Sequence, residues 1–150
     1  MRKIILSVLL TLFMAATATA QGGLVSVRSN HSVQATADRL ELALKEKGIT
    51  IFARIDHAQV AREIGQNLPP TQLVIFGSAS IGAVLIERSR SMGIDLPLKA
   101  LIWKDPAGQV WFTYPAPDEL ARRHGIVEMD EAIGNLQVML SDLVSMVTMP

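Results

Sequence analysis

The first twenty residues constrain the fold most, because they divide the chain into an export signal and one domain-sized remainder. Arg2 and Lys3 come first, residues 4–16 form a predominantly apolar run, and residues 18–20 form a small-x-small cleavage site. The apolar run is shorter than the ~20 residues that a membrane-spanning helix needs. We therefore expect a signal peptide over residues 1–20, cleaved after Ala20, and a periplasmic or secreted protein. The alternative is an N-terminal anchor that is retained.

The remainder, residues 21–150, has the size of a single domain. It is long enough for one hydrophobic core and too short for two. No linker, repeat or low-complexity segment divides it. The chain contains no cysteine, so packing alone must stabilise the fold, and disulfide chemistry and thiolate metal sites are excluded.

The charge balance argues against two classes of partner. The chain has 14 Lys and Arg residues and 14 Asp and Glu residues, and loss of Arg2 and Lys3 would leave a slight acidic excess. This is not the basic footprint of a protein that binds nucleic acid or an anionic membrane. We expect no nucleic-acid partner and no stable membrane insertion after signal cleavage.

Short strand patterns alternate with helix patterns along the domain. Ser32 and Asp56 stand where they can cap helices. Residues 73–76 form a continuously apolar run, which predicts a strand buried on both faces. Residues 98–103 and 110–114 flank a Pro- and Gly-containing turn and predict a hairpin.

The last predicted helix, residues 130–147, carries its apolar residues in one stripe at helical spacing. Two interpretations remain open. The stripe packs on the sheet, or it contributes to the seam of a dimer.

Several pieces of the chain share the order and spacing of a known family. The pieces are residues 52–58 (FARIDHA), 68–71 (LPPT), 74–77 (VIFG), 94–99 (IDLPLK), Trp103 and 112–114 (FTY). Over residues 52–125 the sequence resembles the DUF302 family, a domain family of unknown function.

The resemblance implies a two-layer α+β domain with helices packed on one mixed or antiparallel sheet, similar to the TT1751-like group with its TATA-binding-protein-like topology. It also implies a homodimer, and it implies no activity. The residues themselves indicate no cofactor. One departure concerns the loop after the 74–77 segment. The family has a glycine followed by Asn-Pro there, whereas this chain has Gly77 and then Ser-Ala-Ser.

His57 is the sharpest candidate for chemistry. It follows a predicted strand and lies in the first turn of a short predicted helix, where the helix dipole favours a neutral imidazole. A neutral imidazole can act as a base or as a metal ligand. The competing interpretation is a structural histidine at a strand–helix junction.

Five further residues are candidate ligand contacts, each with a structural alternative. Asp56 has the spacing of a capping box, Asp95 precedes the hairpin as a turn residue, and Tyr114 is a core or interface aromatic first. Gly77 and Ser78 join a strand to a helix. They lie in a loop that lacks the Lys and Ser or Thr of a phosphate-binding motif, although a helix N-terminus there is able to hold an anion.

No complete catalytic set can be assembled from the sequence, so we predict no catalytic residues. A metal site would require His31, His57 and His124 to converge with a carboxylate, and no local pair has ligand spacing, so we predict no metal. The leading hypothesis is a non-catalytic extracytoplasmic binding or accessory domain that acts as a homodimer and takes an unidentified small molecule. The alternative is an enzyme, or a metal- or cofactor-dependent protein, centred on His57.

Overall fold

The computed structural model describes residues 18–126 and 130–150. The strands are β1 (Ala18–Gln21), β2 (Leu24–Ser29), β3 (Thr50–Asp56), β4 (Thr71–Gly77), β5 (Leu98–Lys104) and β6 (Val110–Pro115). The helices are α1 (Val33–Glu46), α2 (His57–Glu63), α3 (Ala79–Arg88), α4 (Pro117–Arg123) and α5 (Glu131–Thr148), with a 3₁₀ segment at Arg90–Ile94.

The strands form one antiparallel sheet in the order β1-β2-β6-β5-β4-β3. The predicted hairpin is its β5–β6 pair, in which Trp103 lies opposite Trp111. Residues alternate between the two faces of a strand, and the helices pack on one face only. This is the predicted two-layer α+β fold.

The side of the sheet that faces the helices forms the core. Val74, Phe76, Ala100, Ile102 and Phe112 are fully buried there. The alternate residues of β4 and β5 are only half-buried. The prediction that residues 73–76 are buried on both faces is therefore wrong. An apolar run predicts two-sided burial in a parallel sheet covered by helices on both sides, whereas this sheet is antiparallel and covered on one.

Side-chain caps begin three of the helices. The hydroxyl of Ser32 accepts a hydrogen bond from the Ala35 amide at 3.1 Å, and the carboxylate of Asp56 accepts one from the Gln59 amide at 2.9 Å. Asp130 does the same for α5. The capping predicted from the sequence is confirmed for α1 and α2 because short polar side chains satisfy the free amides of a first helical turn.

α5 belongs to the core. Its residues Leu136, Leu140, Leu143 and Val147 are at most 2% exposed and belong to one cluster with the buried face of the sheet. The helix packs against α1, α3, α4 and β2. Of the two interpretations of the apolar stripe, the structure supports packing within the chain.

β1 is an element that the sequence analysis did not predict. It pairs with β2, with Gln21 opposite Leu24. The cleavage site predicted after Ala20 falls within this strand, and residues 1–17 of the predicted signal lie outside the described residues. Among the helices of residues 18–126 and 130–150, none is long and apolar enough to cross a membrane.

Candidate functional site

The predicted contact residues lie at different places on the sheet. Gly77 and Ser78 stand at the end where β4 finishes and β5 begins, whereas Asp56 and His57 stand at the opposite end, where β3 runs into α2. Tyr114 is 9% exposed within the core, and burial raises the pKa of its hydroxyl. The six candidates therefore do not form one site.

A cavity of about 370 Å³ lies at the Gly77 end of the sheet. We call this cavity the apolar cleft. Its walls include Phe52, Gly77, Gly82, Ile86, Gly93 and Pro97. Ser78 contributes to the same wall and its hydroxyl is hydrogen-bonded to that of Ser80 at 2.7 Å. Apolar walls with few polar groups are typical of sites for small molecules.

Glycines leave room inside the apolar cleft. A Cβ atom added at Gly82 of α3 would meet no heavy atom within 4 Å. One added at Gly77 would lie 3.6 Å from Cβ of Pro97 and 3.7 Å from Cε2 of Phe52, which is ordinary contact. A side chain at position 82 would therefore extend into open space at the wall.

Phe52 reaches the cleft because of a β-bulge. Ile51 pairs with Phe76 and Ala53 pairs with Ile75, so Phe52 has no partner residue in β4. Bulges re-aim side chains and often lie next to functional sites. The ring is 60% exposed at the cleft wall, where a bound apolar molecule would cover it.

Four side chains outside the lining of the apolar cleft form a hydrogen-bonded cluster next to its wall. The carboxylate of Asp95 lies 2.6 Å from Nε2 of His124 and accepts two hydrogen bonds of 3.0 Å from Arg123. The hydroxyl of Ser91 lies 2.8 Å from Nδ1 of His124. We call Ser91, Asp95, Arg123 and His124 the Asp95 cluster.

The Asp95 cluster holds an ionised carboxylate. Burial alone would raise the pKa of Asp95, but the hydrogen bonds from His124 and Arg123 outweigh it, and the pKa is lowered. The side chains of His124 and Asp95 are 4% and 20% exposed, so solvent screens this interaction less than it would a surface pair.

The same cluster positions part of the cleft. Asp95 lies between Gly93 and Leu96, which both line the cleft, and its partners are at the end of α4. The bonds from Arg123 and His124 therefore tie one wall of the cleft to a helix. This wall would lose its anchor if Asp95 lost its charge.

A larger cavity, of about 520 Å³, lies at the Asp56 end of the sheet. Several of its polar groups are already bonded to one another or to backbone. Asp56 caps α2, and the amide of Gln72 contacts Gln34 at 3.0 Å and Arg54 at 2.6 Å. Its lining includes Asp56 and Ala58 but not His57. We favour the apolar cleft as the site, since its walls present apolar surface that a ligand would bury.

The three histidines lie apart. Nε2 of His31 lies 2.7 Å from the Met149 carbonyl, His57 is the first residue of α2, and His124 is bonded to Asp95. In the ranges that the structure describes, no group of three or more His, Asp or Glu side chains is placed to hold a metal ion.

Three contributors to this end of the sheet were not predicted from the sequence. Phe52 appeared only within the family-like segment at residues 52–58, His124 only among the histidines of a possible metal site, and Ser91 was not singled out. A sequence signal exists only for His124, whose charge suits a helix C-terminus. Its partner is 29 residues away, and single-sequence patterns carry no information on such pairs.

The fold is a two-layer α+β domain with an apolar cavity at one end of its sheet. The family model "Domain of unknown function DUF302" matches residues 25–143, and the chain belongs to this family. The crystal structure of an uncharacterized conserved DUF302 protein from Bacillus stearothermophilus has the same fold. Its TM-score is 0.75 at 17% identity, and the match covers 85% of this chain and 99% of that one.

Two relatives carry a functional name. Proteins named "Fluoride-specific ion channel FluC 1" from Brucella suis and Brucella abortus are each 46% identical to this chain over 104 residues, which is 69% of this chain. The chain spans only 41% and 38% of the length of those two proteins. The larger part of each relative lies outside the similarity.

The lowered pKa of Asp95 predicts how stability depends on pH. Near neutral pH, Asp95→Asn should reduce the free energy of unfolding by about 1–3 kcal/mol, because a charged acceptor of hydrogen bonds is lost. A depressed carboxyl pKa stabilises the fold above its unfolded value of about 3.9, and that contribution is lost as the pH falls through the folded value. The difference between the two proteins should therefore shrink between pH 5 and pH 3 in urea unfolding.

The matched control is Asp142→Asn on the exposed side of α5, which should unfold like the wild type at every pH. An Asp95→Asn difference that is absent at neutral pH, or that persists in full at pH 3, would contradict the role assigned to this carboxylate.

Proposed function

We propose that this chain is an exported binding or accessory domain that acts as a homodimer and takes an apolar small molecule in the apolar cleft. The observation that carries the proposal is the cleft itself, with glycine in its walls and the bulged ring of Phe52 beside it. Its volume of about 370 Å³ lies within the ~300–1,000 Å³ of known ligand sites.

Burial of apolar surface supplies the driving force. Phe52, Ile86 and Pro97 present carbon surface to the cleft, and removing such surface from water contributes roughly 25 cal/mol per Å². The backbone at Gly77, Gly82 and Gly93 lets a ligand approach closely. Ser78 is the polar group at the wall that is suited to orient a hydroxyl or carbonyl of the ligand.

Filling the cleft should abolish binding. Gly82→Leu places a side chain in the open space at that wall. It should weaken binding of 8-anilinonaphthalene-1-sulfonate, a dye whose aromatic rings bind apolar surface, by at least about tenfold, or ~1.4 kcal/mol. Dye fluorescence measured in a titration of wild-type and variant protein gives the two affinities.

The control is Gly134→Leu, the same change in α5, where an added Cβ also meets nothing within 4 Å and which is outside the cleft lining. It should bind dye like the wild type, and both variants should gain helix propensity. Equal dye binding by all three proteins, or none by the wild type, would refute the cleft as the binding site.

The dimer is proposed to form through the sheet face opposite the helices, which no helix of the described chain covers. Its residues include Leu73, Ile75, Leu101, Trp103 and Trp111, which are half-buried. Leu73 lies opposite Leu101, Trp103 lies opposite Trp111, and Ile75 lies opposite Lys99. We call this the helix-free face. Contiguous apolar surface of this kind marks interaction sites.

Both indole N–H groups of the helix-free face already have a hydrogen-bond partner within the chain. Nε1 of Trp103 donates to the Thr113 hydroxyl at 2.9 Å, and Nε1 of Trp111 donates to the Asp105 carboxylate at 2.8 Å. Covering these rings with a second copy would strand neither indole donor. The hydrogen bonds also fix the orientation of both rings.

A charge at the centre of this face should separate the dimer. Leu101→Lys would bury an ammonium group in the seam and should raise the dimer dissociation constant well over tenfold, about 1.4 kcal/mol or more. Sedimentation of the folded variant should give the monomer mass. Leu42→Lys, at a position 59% exposed on α1, should remain dimeric. A monomeric wild type, or a dimer in both variants, contradicts the seam.

The alternative of an enzyme or metal-dependent protein centred on His57 has less support. His57 opens α2 at the end of the sheet away from the apolar cleft, and the neighbouring Asp56 carboxylate is engaged in capping that helix. Neither residue therefore faces the space that is best suited to a ligand.

The named relatives favour a second function, a role beside a fluoride channel. A region 46% identical to this chain belongs to proteins named as fluoride-specific channels, and most of each protein lies outside that region. We infer that this domain assists a channel of that kind.

Deleting the gene of this domain should lower the fluoride concentration that stops growth of the source cell, with chloride tolerance unchanged. Restored tolerance from a plasmid copy is the control, and unchanged fluoride tolerance in the deletion strain would refute the role.

A further inference from the structure

We propose that Ser91 is a nucleophile for acyl transfer, with His124 as its general base and Asp95 as the carboxylate that orients His124. The class of substrate is an ester with an apolar acyl group. This activity goes beyond the proposed function, which requires only that the apolar cleft bind a ligand. The assignment of the acyl group to that cleft rests on the proposed function.

The geometry supports each role. The Ser91 hydroxyl oxygen lies 2.8 Å from Nδ1 of His124, and Nε2 of the same ring lies 2.6 Å from an oxygen of Asp95. A nucleophile in hydrogen-bond reach of a base, with the base oriented by a third group, is the arrangement that activates a serine. Ser91 is exposed, whereas the His124 side chain is 4% exposed, so the oxygen is accessible and the ring is held.

The hydrogen bonds select the useful tautomer. An ionised Asp95 can only accept a hydrogen bond, so the proton of neutral His124 is placed on Nε2 and the lone pair on Nδ1 faces Ser91. Arg123, with both its contacts to Asp95 at 3.0 Å, helps to keep the carboxylate ionised. The lowered pKa of Asp95 agrees with this assignment.

The reaction is balanced without a cofactor. As Oγ of Ser91 bonds to the ester carbonyl carbon, its proton passes to Nδ1 of His124. The bond from that carbon to the alcohol oxygen then breaks, and His124 returns the proton to the departing alcohol. Water releases the acyl group by the same route, giving its proton to His124 and then to Oγ of Ser91. The products are one alcohol and one carboxylic acid.

The apolar cleft places the acyl group. Gly93, two residues after Ser91 in the same 3₁₀ segment, lines that cleft. Two residues of a 3₁₀ helix advance about 4 Å along its axis, so Ser91 is close to Gly93 along the chain, although its side chain lies outside the cleft lining. An apolar acyl chain in the cleft would bring its carbonyl to this segment.

The same hydrogen bonds would exist if the cluster only fastened the 3₁₀ segment to α4. A structural role predicts that Ser91 has no special reactivity toward electrophiles. A nucleophilic role predicts that Ser91 reacts faster than other serines and that His124 controls the rate. Reactivity therefore separates the two, and stability does not.

The experiment uses an alkyl fluorophosphonate, which phosphonylates activated serines with loss of fluoride, and the full chain as purified. Intact mass should rise by one adduct, and peptide mapping should place it on Ser91. Ser91→Ala should lose it. The control is Ser89→Ala, whose hydroxyl lies 3.1 Å from that of Ser91, and it should keep the adduct. No adduct, or an adduct elsewhere, would overturn the proposal.

The role of His124 is tested by rate. His124→Gln should slow labelling about 10²–10⁴-fold, which is the usual contribution of a general base. Where that buried variant does not fold, the labelling rate of the wild type against pH is the second measurement. The labelling rate should be lower in acid, because a general base must be unprotonated to accept the serine proton, and a rate that does not change with pH would overturn the assignment of the base.

Labelling and dye binding fail independently. Labelling of Ser91 in a protein whose cleft binds no dye refutes the proposed function and supports the nucleophile. Dye binding without labelling does the reverse. Hydrolysis of p-nitrophenyl butyrate that is lost in Ser91→Ala and reduced in Gly82→Leu supports both, and hydrolysis that is equal in wild type and Ser91→Ala counts against this inference.

Discussion

Burial of one sheet face under the helices is the constraint on which the rest of the structure depends. The chain contains no cysteine, so this contact has no covalent support. Phe76, Ile102 and Phe112 from the sheet meet Leu40 of α1 and Leu143 of α5 in one cluster, and each is fully buried. Because packing in such a core tolerates little change in volume, these residues hold the sheet and the helices in fixed positions relative to one another. The cleft and the Asp95 cluster are built at one end of that sheet.

Burial of the sheet on one face also explains why the helices and strands were easier to predict from the sequence than the burial of each strand. The caps at Ser32 and Asp56 follow from local chemistry, since a side-chain oxygen three residues before a free amide satisfies it wherever the helix lies. Whether the apolar run at residues 73–76 is buried on one face or on both cannot be derived from local chemistry in this way. Leu73 and Ile75 face away from the helices and are half-buried, and the sequence has no signal for what covers that face.

The candidate site depends on contacts that no local pattern encodes. Gly77 and Ser78 could be proposed because a strand-to-helix loop is visible in the sequence. Phe52 joins them only because the chain gains one residue relative to β4, and a bulge of this kind has no composition signal. The Asp95–His124 contact joins two loops that are 29 residues apart. Each of those residues has a sufficient local explanation, Asp95 as a turn residue and His124 as a residue at a helix C-terminus. No local pattern therefore predicts that the two side chains are in contact.

The two ends of the sheet differ in what they leave unsatisfied, and this difference decides where a ligand would act. At the Asp56 end, polar side chains bond to one another, as Arg54 does to Gln72 and Asp38 at 2.6 Å each. A polar ligand there would have to replace bonds already made, and the net gain from such an exchange is small. At the Gly77 end, the open surface is carbon and backbone, so a ligand gains burial without breaking a bond. Ser91, the proposed nucleophile, is on the 3₁₀ segment whose Gly93 lines this wall. An apolar substrate would therefore be drawn by burial toward the segment that carries the nucleophile, and binding and chemistry would share one end of the sheet.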